Sequence, residues 1–154
     1  MKTILTPIDF SPASDQVIAE AVTLARAHSG RVVLVHVTEP TTKLVDYAAI
    51  VLAYAQVNEA AVRYSQERLA QIELRVKDQG VEVSSVNVTG TPIPEIIEQA
   101  QQHAADYIVM GSHGHTAFYD LLVGSTAHGV LKRSTCPVVI VPPPPAKPEG
   151  ATNV

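Results

Sequence analysis

The chain has 154 residues, about one domain at roughly 100–200 residues per domain, and long enough to bury a substantial core. Lys and Arg number 11 against 15 Asp and Glu, a formal charge of −4, which gives no electrostatic reason to hold a nucleic-acid backbone. Hydrophobic residues make up 46%, no apolar run approaches the ~20 residues of a membrane-spanning helix, and the single cysteine, Cys136, excludes an internal disulfide framework.

The stretch before the first Thr-Pro pair is too short for a signal-peptide apolar region, so the expected location is cytoplasmic, with no membrane partner. Lys2 to Asp9 is short, apolar and β-branched and reads as a buried strand ending near Pro7, which has no backbone donor to give a sheet. Ser11-Pro12 has the form of an N-cap followed by a first-turn proline, and Val17, Ile18, Ala21, Leu24 and Ala25 follow at helical spacing up to a capping glycine, Gly30. Arg31 to Val37 is almost continuously apolar, as a parallel strand covered on both faces would be. Thr38 to Asn58 is broken by Pro40 and then apolar without a clean period; it fits a short helix, a lid or a partner surface. From Glu59 to Gln79 the helical period returns, with Val62, Leu69, Ile72 and Val76 on one face and Gly80 at its end. Val81, Val83, Val86 and Val88 mark a third strand, with imperfect pairing expected near Ser84-Ser85.

Thr91-Pro92 repeats the cap-plus-proline pattern ahead of Ile93, Ile96, Ile97 and Ala100. Asp106 to Met110 is a fourth strand, Ser125 to Arg133 a fourth helix with Ser125 as its N-cap, and Pro137 to Val141 a fifth strand. Residues 143–154 read as a disordered Pro-rich tail, leaving 1–142 as the folded domain. Strands alternating with helices predict a single α/β domain around an open parallel sheet with right-handed crossovers.

In such a sheet, ligands bind beyond the carboxyl ends of the strands. The fourth strand runs into Gly111-Ser112-His113-Gly114, and nine residues later Gly124-Ser125 opens a helix. Glycines at a strand end admit backbone amides close to a ligand, and a helix N-terminus presents N–H groups and a positive dipole end to an anion, so the pattern suits a polyphosphate. The Walker loop G-x-x-x-x-G-K-[ST] and a G-x-G-x-x-G after the first strand are both absent.

Gly111-x2-Gly114-x9-Gly124-Ser125, set between Tyr107-Ile-Val-Met110 and Val130 to Val141, resembles the universal stress protein family. Ile4 to Ser11, Val35-His36-Val37 and Val88-Thr-Gly90-Thr-Pro92 are similar to it as well, and the likeness spans residues 2–142. The resemblance implies a Rossmann-like five-stranded parallel sheet of order 3-2-1-4-5 with helices on both faces. It implies the ATP-binding branch, with ATP as ligand accompanied by Mg²⁺ or Mn²⁺. It places nucleotide contacts at Pro7, Ile8, Asp9, Val37, Met110, Gly111, Ser112, His113, Gly114, His115, Gly124, Ser125 and Thr126. Asp9 would lie by the adenosine, Val37 against the adenine, and Gly114, Gly124, Ser125 and the Thr126 amide on the phosphates. It further implies a homodimer formed through the last strand, Pro137 to Val141, and a regulatory role toward a protein partner that the sequence does not name. His115 stands where the family often has Lys or Arg, so phosphate affinity would depend on pH near the unperturbed histidine pKa of ~6.5.

Asp9 taken alone is equally a helix cap or a ligand contact. His113 and His115 have no cysteine or carboxylate partners nearby, so a metal held by protein side chains is not expected. His36 reads as a hydrogen-bonded core or site-wall residue, and Cys136 as a small hydrophobe. No catalytic set is visible. Two other readings stay open: a slow ATP-hydrolysing enzyme of the adenine-binding α/β group, and a nucleotide-independent dimeric interaction module.

Overall fold

The computed structural model describes residues 1–40, 48–113 and 123–143, with the main chain alone for 48–51. Its elements, in chain order, are β1 (Thr3–Pro7), α1 (Ser14–Ala27), β2 (Arg31–Thr38), α2 (Ala48–Lys77), β3 (Glu82–Thr89), α3 (Pro92–Gln102), β4 (Tyr107–Gly111), α4 (Ser125–Arg133) and β5 (Val138–Val141). The strands form one parallel sheet of order β3-β2-β1-β4-β5, the order expected.

Successive side chains of a strand point to opposite faces, and both faces of this sheet are covered. Ile4, Val32, Leu34 and Val109 face α1 and α2, where they meet Val17, Ile18, Ala21, Leu69, Ile72 and Val76. Leu5, Val33, Val35, Ile108 and Met110 face α3 and α4, where Ile96, Ala127 and Val130 complete a second core. This two-sided burial is the cause of the apolar runs Val32 to Val35 in β2 and Ile108 to Met110 in β4.

Four local expectations are corrected. First, α1 starts at Ser14 with Ala13 at its N-cap, not at Ser11. The Asp9 carboxylate accepts the Ser11 N–H (3.0 Å) and the Ser14 hydroxyl (3.1 Å), and this closes a turn before the helix begins. Second, α1 ends in a Schellman motif whose left-handed residue is Ser29 (φ 47°), with the Gly30 N–H donating to the Ala25 carbonyl at 2.7 Å. Gly30 is small for another reason: a Cβ there would sit 2.5 Å from the Lys2 carbonyl oxygen. Third, β3 pairs with β2 without interruption, Ser84 opposite Val33 and Ser85 opposite Leu34, and the Ser85 hydroxyl is bonded to Glu73 of α2. Fourth, α2 begins at Ala48 rather than Glu59. Only its later part lies on the sheet, where Ser65, Leu69, Ile72 and Val76 are buried; Leu52 and Val57 are exposed, so the earlier turns carry no apolar period to read. Residues 41–47 of that segment lie outside the described residues, as do 144–154 of the tail.

Candidate functional site

The strand order reverses between β1 and β4, because β1 leads to β2 on one side and lies against β4 on the other. The carboxyl ends of these neighbours splay apart, which opens a crevice. A cavity of about 570 Å³ occupies it, within the ~300–1,000 Å³ of ordinary small-molecule sites. Eleven of the thirteen residues marked in the sequence line it: Pro7, Ile8, Asp9, Val37, Met110, Gly111, Ser112, His113, Gly124, Ser125 and Thr126. The other two, Gly114 and His115, lie outside the described residues.

Three segments shape the walls. After β1 the chain is tied to β2: the Ile8 N–H donates to the Val35 carbonyl (2.9 Å), and His36 Nδ1 lies 2.9 Å from the Ile8 carbonyl. A carbonyl only accepts, so Nδ1 carries the proton. The next residues, Asp9 and Phe10, leave the sheet, with Phe10 in the left-handed region (φ 60°) and its ring stacked on His36 at 4.3 Å between centroids. Asp9 is thus not the cap of α1, whose N-cap Ala13 has no side-chain cap bond; its carboxylate closes the preceding turn and also lines the cavity.

After β4, the Ser112 N–H donates to the Val141 carbonyl (2.8 Å), and the Ser112 carbonyl accepts the Gly124 N–H (2.6 Å). That second bond docks the start of α4 against the end of β4. Gly124, not Ser125, is the N-cap of α4, and the helix start has no side-chain cap. The first intrahelical bond is His128 N–H to the Gly124 carbonyl at 2.9 Å, so the amides of Ser125, Thr126 and Ala127 have no acceptor within the helix. All three residues line the cavity. A Cβ at Gly124 would stand 3.0 Å from the Ser112 carbonyl oxygen, which makes glycine the residue that allows this close docking.

The cavity therefore has two chemically different parts. The α4 end offers amide donors and a positive dipole end. The β1–β2 end offers Val35 and Val37, with the carboxylates of Asp9 and Glu39 beside them. Ser11, Ala13, Ser14, Val17, Pro92 and Ile96 complete the lining and were not singled out from the sequence. Their signal was present in the two cap-plus-proline starts: in a parallel α/β sheet, each helix that follows a strand begins at the carboxyl end, so its first turns border the crevice. Among the described residues, no group of three or more His, Cys, Asp or Glu side chains is placed to hold a metal ion, and no helix is long and apolar enough to cross a membrane. Cys136 is a free thiol, half-buried against the α3–α4 core.

An open, doubly wound parallel sheet with a cavity at its switch point defines the class: a Rossmann-like α/β domain. The universal stress protein family model matches residues 1–142, and the chain belongs to that family. Universal stress protein MJ0577 of Methanocaldococcus jannaschii is 30% identical over 152 residues, covering 91% of this chain and 94% of the relative. The solved structure of MJ0577 superposes with a TM-score of 0.82 at 26% identity, over 94% of this chain and 98% of that one. UspA from Lactobacillus plantarum shares the fold, with a TM-score of 0.81 at 24% identity over 91% and 97% of the two chains. So does a universal stress protein from Archaeoglobus fulgidus solved in complex with dAMP, with a TM-score of 0.65 at 20% identity over 91% and 97%.

Proposed function

We propose that this protein is a cytoplasmic, ATP-binding universal stress protein whose role rests on binding rather than chemistry. Residues 1–142 form the nucleotide-binding unit. The observation that carries the reading is the convergence of Pro7–Asp9, Val37, Met110–His113 and Gly124–Thr126 on one cavity with an apolar end and an amide-donor end. Adenine packs against Val37 and Met110, Asp9 contacts the adenosine, and the phosphates lie on the Ser125, Thr126 and Ala127 amides. A protein of the same fold was solved in complex with dAMP, which supports a nucleotide as the class of ligand. Mg²⁺ or Mn²⁺ arrives with the triphosphate and neutralises part of its charge; the described residues supply no metal cluster of their own.

The dimer forms through the last strand, Pro137 to Val141, by pairing of an edge that carries the exposed Val139. Bound nucleotide stabilises the fold by mass action and biases the conformation presented to a protein partner.

The test is calorimetric titration of nucleotide-stripped protein with ATP, ADP and AMP, with and without Mg²⁺. Phosphate release and sedimentation are followed on the same samples. Saturable binding at micromolar nucleotide with no turnover above background is the expected result. Phosphate release that saturates with ATP would favour the hydrolase reading. A folded dimer with no nucleotide affinity would overturn the proposal in favour of an interaction module.

A further inference from the structure

A second cavity, of about 340 Å³, adjoins the first and shares Asp9, His36, Val37 and Glu39 with it. It lies between the end of β2 and α2, and its remaining wall includes Phe10, Ala61 and Tyr64. Neither the family match nor the proposed ATP contacts account for it.

The orientation of the nucleotide decides which part of a ligand this space could receive. Anionic phosphates are drawn to the α4 amides at one end of the main cavity. The base then lies at the other end, beside Val37, which is the wall the two cavities share. The second space therefore opens off the base and away from the phosphates.

Its chemistry narrows the occupant further. The rings of Phe10 and His36 are stacked, and Tyr64 meets Phe10 edge-on at 6.4 Å between centroids. Tyr64 is 57% exposed, so much of its ring surface is accessible. Aromatic walls favour a flat apolar group. The Asp9 and Glu39 carboxylates on the shared wall disfavour an anion there, while the Arg68 guanidinium, 5.6 Å from the Phe10 centroid, leaves an uncharged donor as well placed as a cation. An unsubstituted adenine leaves this space without a ligand group.

We propose that the second cavity is a subsite for a planar, uncharged or cationic substituent carried on the base of the bound nucleotide, the chemistry of an N6-substituted adenine nucleotide. The inference rests on the nucleotide reading and extends it from ATP to base-modified nucleotides. No covalent step is involved.

The test titrates ATP and N6-benzyl-ATP into the full chain, with Mg²⁺ present, for wild type, Ala61→Leu and Tyr64→Ala. Ala61 and Tyr64 line the second cavity and not the first, so neither belongs to the ATP site itself. Wild type is expected to bind N6-benzyl-ATP within threefold of ATP or more tightly. Ala61→Leu, which fills the space, should weaken the benzyl nucleotide at least tenfold and leave ATP within twofold. Tyr64→Ala, at an exposed position that poses little risk to folding, should weaken the benzyl nucleotide by about 2- to 12-fold, the range of one lost aromatic contact, again sparing ATP. Wild-type binding of N6-benzyl-ATP more than 30-fold weaker than ATP would mean a closed wall and overturn the subsite alone. Equal losses for both ligands in either variant would overturn it too. Failure of ATP itself to bind would overturn the nucleotide reading and the subsite together.

Discussion

Gly124→Val tests whether the start of α4 is the anion-binding end of the site. The backbone there is ordinary (φ −68°, ψ 165°), so a side chain brings no dihedral strain. The conflict is one of space: the Cβ would meet the Ser112 carbonyl oxygen at 3.0 Å and His113 Cα at 3.6 Å, and valine adds two more carbons. Both groups are main chain and cannot rotate away. The Gly124 N–H is bonded to that same Ser112 carbonyl at 2.6 Å, so relief requires α4 to back off from β4 and stretch the bond.

Overpacking of this kind costs about 1–3 kcal/mol, against a total stability of roughly 5–15 kcal/mol, so the variant should fold with a lower midpoint. At about 2–4 °C per kcal/mol, the melting temperature should fall by roughly 2–12 °C. The effect on binding should be larger. The amides of Ser125, Thr126 and Ala127 move with the helix, and a hydrogen bond to a charged group contributes about 1.5–3 kcal/mol. Misplacing two of them loses about 3–6 kcal/mol, a factor of roughly 10²–10⁴ in ATP affinity. Gly124→Ala, with only the Cβ, should give a smaller loss in the same direction. Calorimetric titration with ATP beside a thermal scan reads both quantities. A folded valine variant whose Kd stays within threefold of wild type would refute the assignment of the anion to these amides.

Thr6 is fully buried in β1 and its hydroxyl has no hydrogen-bond partner among the described residues. Thr6→Val keeps the shape and the β-branching while removing that group, and should raise the unfolding free energy by about 1 kcal/mol in urea titration; a loss would point to a buried water on the hydroxyl. Ser29 and Ala104 both hold φ 47° in the Schellman ends of α1 and α3, so Ser29→Gly and Ala104→Gly should each stabilise by roughly 0.5–1 kcal/mol, with the relief of left-handed strain exceeding the added chain entropy. Lys2 Nζ lies 2.7 Å from one Asp106 oxygen, and the Thr3 N–H donates to the other at 2.8 Å, which holds the Asp106 carboxyl below its ordinary range and raises Lys2. A lowered carboxyl pKa contributes stability above the unfolded value of ~4 that is lost as pH falls through the folded one. Asp106→Asn should therefore be less stable than wild type at pH 7, and the gap in urea midpoints should narrow progressively as pH falls below about 4.

The sequence by itself determined the layered parallel architecture, because strands buried on both faces must be apolar at every position, as Arg31 to Val37 nearly is. It also marked the end of β4 and the start of α4, where glycines and a helix start have a local chemical reason; the family resemblance added Pro7 to Asp9 and Val37, and all of these line one cavity. It could not show how far α2 extends, because a helix reveals its period only where one face is buried, and Leu52 and Val57 lie outside that part. It put the glycine of α1 in the wrong role: Gly30 is required by the Lys2 carbonyl, distant in sequence, and the left-handed position fell to Ser29. The remaining site walls came from tertiary structure alone. Ala61 and Tyr64 carry no local motif and meet the end of β2 only because the crossover packs α2 against the sheet.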